Sequence, residues 1–259
     1  AKTFLGTTIP AGTDGRAALT QALDTIAAHP NVGPFIGRLL IQRLVASPPS
    51  PAYVARVTAA FNNNGAGVRG DLKAVIKAVL LDTEARSAPV PGQTTRGKLR
   101  EPIQRFVQWA RCFGLSSPTG LWNIGNLSDP AARLGQSPLR SPSVFNFYRP
   151  GYVPPNSALG SAGITAPEFQ ITNETAVVAW ANYAQTFVAN PPGEAIADYS
   201  AEMALAADAA ALVRRITLLL AADALSADTV SRITSAVGSI VASTDTGKRN
   251  RVQAAIHLV

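Results

Sequence analysis

A set of polar residues brackets one proline- and aromatic-rich stretch of this chain. Arg100 and Glu101 precede it, Gln136 stands at its edge, Arg140, Asn146, Tyr148 and Arg149 lie within it, and Glu168, Asn173 and Glu174 follow it. Carboxylates that converge with an arginine on an aromatic cleft can bind and hydrolyse a polymer such as a polysaccharide. One acid protonates the leaving oxygen and the other activates water or attacks carbon, while the rings stack on sugar faces. On this reading Glu101, Glu168 and Glu174 are the candidate catalytic acids. Arg100, Gln136, Arg140, Asn146, Tyr148, Arg149 and Asn173 are the candidate binding residues. The same residues have a plainer use: the arginines pair with the acids and hydrogen-bond loop carbonyls that no regular structure satisfies. Residue type and spacing leave both uses open.

Other chemistries find less support. The histidines, His29 and His257, have neither a second histidine nearby nor a GxSxG-like context, which argues against a Ser-His-Asp triad and against a histidine metal centre. His29 stands just before Pro30, as a capping or surface residue. The single cysteine, Cys112, has no disulfide partner in the chain and reads as a small buried hydrophobe. NNNGAGVRGD, residues 62–71, lacks the GxxxxGK[ST] order of a phosphate loop and is an interhelical turn. Glu194, Asp198, Glu202 and Asp208 form an acidic run without calcium-loop spacing, expected to be a solvated face. Neither a metal nor a cofactor is expected.

The elements that must position these groups are helical. With 259 residues and 47% hydrophobic content the chain can bury a substantial core, and no apolar run is long enough to cross a bilayer. Helical spacing and capping residues mark segments over residues 15–29, 34–47, 52–61, 71–86, 98–113 and 171–190. Thr165 to Glu168 reads as a capping box that opens a further helix, and the only strand expected is KTFLG, residues 2–6, paired with TTI. Residues 212–259 repeat the rhythm of residues 36–79. At an offset of 176, Arg38, Leu44, Val54, Arg56 and Val57 fall on Arg214, Leu220, Val230, Arg232 and Ile233.

The expected fold class is therefore all-α, with two similar three-helix modules flanking a long ordered loop. The expected organisation is one compact helical domain with submodules over 14–86, 98–190 and 200–259 and a polar linker over 87–97. SPLRSPSVFNFYRPGYVPP, residues 137–155, reads as a strap: proline lowers the entropy lost on ordering it, and Phe145, Phe147, Tyr148 and Tyr152 are expected to anchor it between helices.

Charge is asymmetric. Residues 1–156 hold 17 Lys/Arg against 7 Asp/Glu, and residues 157–259 hold 6 against 9. Arg43, Arg56, Lys73 and Lys77 fall singly on amphipathic helices rather than in a stripe with stacking aromatics, so no nucleic-acid partner is expected. The basic part instead has an acidic part of the same chain, or a separate partner chain, to meet.

HPNVGPFIGRLLIQRLVASPPSPAYVARVTAAFNNNGAGVRGDLKAVIKAVLLDTEAR, then GKLREPIQRFVQWAR, then LGQSPLRSPSVFNFYRPGYVPP, resembles, in block order, the bacterial family catalogued as domain of unknown function 1800. The resemblance is strong over about the first 175 residues and looser beyond. It implies a helical, exported bacterial protein, periplasmic or extracellular, of which this chain is the C-terminal portion. It implies no settled activity and assigns no catalytic residue. Two functions follow as expectations: a helical interaction or scaffold domain that docks an upstream segment of its own chain or a separate exported partner, and an exported polymer hydrolase.

Overall fold

Leu5 and Gly6 both take positive φ, 49° and 79°, the backbone signature of the tight two-residue turn that joins antiparallel strands. They close the hairpin of β1 (Lys2–Phe4) and β2 (Thr7–Ile9), in register Lys2 to Ile9, Thr3 to Thr8 and Phe4 to Thr7. The computed structural model describes residues 1–87 and 97–259, so the polar linker expected over 87–97 lies, except for its two ends, outside the described residues. Apart from this hairpin the described elements are helices, and the protein is mostly all-α. By compactness the chain divides into two units, Ala1–Leu99 with Pro150–Pro167, and Arg100–Arg149 with Glu168–Val259.

The first unit holds α1 (Gly15–Ala28), α2 (Val32–Leu44), α3 (Pro51–Asn62), α4 (Leu72–Leu81) and the single turn α5 (Thr83–Arg86). Side-chain caps set the starts: Asp14 accepts from the Arg16 and Ala17 N–H groups, Ser50 from Tyr53, Asp71 from Lys73 and Ala74, and Asp82 from Glu84. Helices α2, α3 and α4 pack pairwise around Ile41, Tyr53, Val57, Phe61, Val75 and Val79. Gly37 permits that packing, because a Cβ there would stand 3.0 Å from a Val57 methyl. Each such buried side chain contributes roughly 1.5–3 kcal/mol. Tyr53 satisfies its buried hydroxyl on the Val79 carbonyl, while Arg38 and Gln42 donate to the Thr165 hydroxyl, at 3.0 and 3.2 Å. By contrast, α1 has no buried residue, and its apolar stripe, Leu19, Leu23 and Ile26, lies exposed by 59%, 56% and 49%.

The second unit begins with α6 (Pro102–Cys112); the first unit then claims the single turn α7 (Ala158–Ser161); and the second resumes with α8 (Glu174–Ala189), α9 (Ser200–Leu205), α10 (Ala209–Ala221), α11 (Ala227–Gly238) and α12 (Asp245–Leu258). Helix α6 starts at Pro102 rather than Lys98, since the residue before a proline is driven out of the helical region and Glu101 sits at ψ 151°. The helix expected from Thr165 is a 3-10 turn, Pro167–Ile171, and α8 begins only at Glu174, where Asn173 accepts the Ala176 N–H at 2.9 Å. The core is aromatic: Phe187 meets Phe106 edge-on at 5.1 Å, Trp109 at 4.6 Å and Tyr183 at 5.4 Å.

Helices α10, α11 and α12 pack pairwise in the same order as α2, α3 and α4. The first two pairs match in length, 13 residues for α2 and α10 and 12 for α3 and α11, and Ser226 caps α11 as Ser50 caps α3. Val57 and Ile233, aligned by sequence, are both buried. The third pair departs, α12 having 14 residues against 10 in α4. Arg251 of α12 is nearly buried and donates to the Ala206, Ala207, Gly238 and Ile240 carbonyls, the open ends of α9 and α11.

Candidate functional site

The predicted site residues from Arg100 to Glu174 all belong to the second unit. Glu101 stands before Pro102 and forms a capping box with Gln104, whose Oε1 accepts the Glu101 N–H at 3.2 Å. Gln136 Nε2 donates to Glu101 Oε2 at 2.7 Å, and Gln136 Oε1 accepts the Ile103 N–H at 3.2 Å. Both side chains are buried, Glu101 only 2% exposed. Thus Gln136, the residue just before the strap, ties it to the start of α6 through both amide atoms. Glu168, at 1% exposure, lies in the 3-10 turn, and its carbonyl accepts the Thr172 hydroxyl at 3.2 Å. Glu174 is exposed in the first turn of α8, where its charge favours the positive end of the helix dipole.

The candidate binding residues are structural to differing degrees. Arg100 donates to the Leu220 carbonyl at 3.2 Å and to Gln108 Oε1, and Gln108 in turn donates to the Leu219 and Leu220 carbonyls at 2.8 and 3.2 Å. Two side chains around α6 therefore cap the open carbonyls of α10. Arg149 is held by its backbone N–H, which donates to Gln170 Oε1 at 2.7 Å, while its guanidinium is exposed. Asn146 is exposed at φ 65°, a left-handed position that asparagine tolerates, and Tyr148 is half-buried.

Of the four expected aromatic anchors of the strap, Tyr148 and Tyr152 are partly buried, as Phe147 is, and Phe145 departs. Phe145 is 65% exposed, and Leu139 and Val144 are almost wholly so. Short local bonds also order the strap: the Arg140 N–H reaches the Ser137 carbonyl at 3.2 Å, the Asn146 N–H the Ser143 carbonyl at 3.1 Å, and the Phe145 N–H the Ser143 Oγ at 3.1 Å. Residues 130–132 and 144–147 form non-helical turns.

Beside the strap lies an open groove of about 650 Å³. Its walls are Ile103, Phe106 and Val107 of α6, the loop Leu121–Gly125 with Leu127, and Ser137, Pro138 and Arg140 of the strap. Of the predicted residues Arg140 reaches this groove, while Leu121 and Trp122 are functional candidates that sequence reasoning missed. Their loop is pinned by Glu194, whose carboxylate accepts from the Ser117 hydroxyl and, at 2.5 Å, from the Thr119 hydroxyl. Those hydroxyls, Ser117 first, hold the Glu194 carboxyl below the usual carboxylate range. Gly193, at φ 68°, lies so close to the Asn123 carbonyl that no side chain fits there. Of the acidic run expected as a solvated face, Asp198 and Asp208 are exposed and accept helix-start N–H groups, half-buried Glu194 pins a loop, and Glu202 departs, buried against Arg215 at 2.6 Å.

His29 and Cys112 are also absorbed by the fold. His29 Nδ1 accepts the Asn31 N–H at 3.2 Å, and the Cys112 thiol faces the Leu219 carbonyl at 3.6 Å, its pKa pushed up by burial. His257 is exposed in the last turn of α12. Among the described residues no three His, Cys, Asp or Glu side chains gather as a metal cage, and no helix is long and apolar enough to cross a membrane.

A family model matches residues 1–259, the whole chain. The chain belongs to the family described as protein of unknown function (DUF1800). The match extends over the C-terminal helices, where the sequence resemblance is looser. No curated protein and no solved structure matches the chain. For this DUF1800 member the groove geometry is therefore the main guide to function.

Proposed function

We propose that this chain is a helical interaction domain of an exported bacterial protein, and that the groove beside α6 receives an acidic polypeptide segment bearing apolar anchors. The observation that carries this reading is the groove itself: an apolar trough about 650 Å³ in volume, walled by Val107, Leu121, Trp122 and Ile124, with Arg140 as its charged lining residue. Apolar side chains left outside a folded core, on loops ordered by hydrogen bonds, are the usual mark of a protein-binding surface. Charge supports an acidic occupant. Residues 100–149 hold Arg100, Arg105, Arg111, Arg133, Arg140 and Arg149 against Glu101 and Asp129, and Glu101 is buried. The exposed stripe of α1 offers a second uncovered apolar surface, since a helix of its length normally owes its stability to packing of that face. Export rests on the family resemblance alone.

The alternative, a polymer hydrolase acting through Glu101, Glu168 and Glu174, has less support. Two of the three acids are buried, and a proton donor must touch the bond it cleaves. The test combines native mass spectrometry of the protein from its source with Trp122→Ala and Arg140→Glu variants. Both side chains are exposed, so the variants should melt like the parent yet lose the co-purifying chain at least tenfold. A partner retained by both variants overturns the groove assignment. Turnover of a polysaccharide that Glu168→Gln or Glu174→Gln abolishes overturns the interaction reading in favour of the hydrolase.

A further inference from the structure

A second cavity, of about 300 Å³, lies in the unit that contains α6, α8, α10 and α12. Its apolar walls include Trp109, Trp180, Phe187 and Ile256, and its polar lining comes from Arg100, Arg105, Gln108 and His257. Leu258 and Val259 complete the wall, and among the described residues no Asp or Glu side chain lines it. Arg100 and Gln108 are committed to the carbonyls that end α10, whereas Arg105 is differently placed. Its guanidinium stacks over the Trp180 ring, 4.4 Å from the centroid, and its Nε is buried with no hydrogen-bond partner among the described residues. Stacking fixes the plane of the guanidinium but gives its in-plane N–H groups nothing to donate to. A buried donor left in this state costs free energy on the scale of a lost charged hydrogen bond, and natural proteins rarely leave one without a use.

We infer that this cavity binds a small organic carboxylate with a flat aromatic or branched aliphatic body, the carboxylate on the Arg105 guanidinium and the body against Trp180 and Phe187. A carboxylate matches the planar fork of arginine and gives the terminal N–H groups of Arg105 an acceptor. The apolar walls favour one charged end on an apolar body over a dianion such as phosphate, whose desolvation they could not offset. The volume suits a ligand of a single ring and a short side chain. Burial lowers the Arg105 pKa from its ordinary value, consistent with a guanidinium that has no anion beside it. This site is separate from the proposed docking groove, with Arg105, Trp180 and Phe187 absent from the groove lining, so either can fail alone.

The test is titration of the full-length chain with phenylacetate and with its neutral isostere phenylacetamide, followed by tryptophan fluorescence and by the NMR signal of the Arg105 Nε–H. The expected result is saturable one-site binding of the acid, at least tenfold tighter than the amide, with a shift of the Arg105 signal. Arg105→Met should abolish the preference for the acid, and Arg105→Lys should restore part of it. Equal affinity for acid and amide, an unmoved Nε–H signal at saturation, or no saturable binding of either probe overturns the inference. The wild-type comparison and the Nε–H signal decide it even if Arg105→Met fails to fold.

Discussion

Gln136 and Glu101, 35 residues apart in sequence, meet in the core with Nε2 donating to Oε2 at 2.7 Å. The bond holds the entry of the strap on the start of α6, because the same amide also accepts the Ile103 N–H. A residue that resembles a ligand-binding glutamine in the sequence is thus a bracket between a loop and a helix.

Gln136→Ala removes a donor from a buried carboxylate and an acceptor from a helix N–H. It should destabilise the protein by roughly 2–4 kcal/mol, since hydrogen bonds to charged groups and newly unsatisfied polar atoms both count. Urea unfolding measures this, and a double-mutant cycle with Glu101→Ala should show coupling above roughly 1 kcal/mol. A loss under roughly 0.5 kcal/mol, the range of a neutral surface change, would contradict the bracket role.

Arg251→Met leaves the carbonyls of Ala206, Ala207, Gly238 and Ile240 without their donor while keeping much of the side-chain volume. The expected cost is roughly 3–5 kcal/mol. Hydrogen exchange should localise the loosening to α9, α11 and α12, and uniform exchange across the unit would count against a local capping function.

Tyr199 accepts from Trp109 Nε1 at 3.1 Å and donates to the Val188 carbonyl at 3.0 Å. Burial pushes its pKa up to about 12. A raised pKa means that its contribution to stability is fully present below the ordinary tyrosine value of about 10 and is lost as pH rises through the folded value. Stability should therefore fall between about pH 10 and pH 12 in the parent, and Tyr199→Phe should both lower stability at neutral pH and flatten that decline. Alkaline denaturation curves of the two proteins make the comparison, with parallel curves speaking against the assignment.

Asp82 accepts two hydrogen bonds from Arg56, at 2.7 and 2.8 Å, and this pairing holds its carboxyl below the ordinary aspartate range. A lowered pKa contributes stability above the unfolded value of about 4, which is lost as pH falls through the lower folded value. Arg56→Met should remove that contribution, lowering stability at pH 7 and making the decline below about pH 4 shallower than in the parent. Chemical denaturation at a series of acid pH values reads the slope, and an unchanged slope would separate Asp82 from acid unfolding.

Much of the helical framework is legible before folding is considered. Ser50-Pro51, Asp71 and Asp14 are local signals, and each caps the helix start expected of it. The hairpin at the N-terminus is equally local, as is the matching of α3 with α11 across 176 positions. The candidate site is less legible. Nothing near Gln136 in the chain shows that Glu101 is its partner, and nothing near Arg105 announces Trp180. Periodicity also marks an apolar face without saying whether anything covers it, as the exposed Leu19, Leu23 and Ile26 of α1 show.

By itself, then, the sequence determined the all-α class, the caps and most helix limits, because these depend on backbone geometry and neighbours within a turn or two. Only the tertiary structure decided which polar residues are buried and which apolar ones are not. It placed Glu101 and Glu168 in the core, Phe145 and Trp122 at the surface, and Arg105 over a ring with a donor to spare. The physical reason is that burial and hydrogen-bond partnership are set by packing between segments far apart in the chain, and no local pattern carries that information.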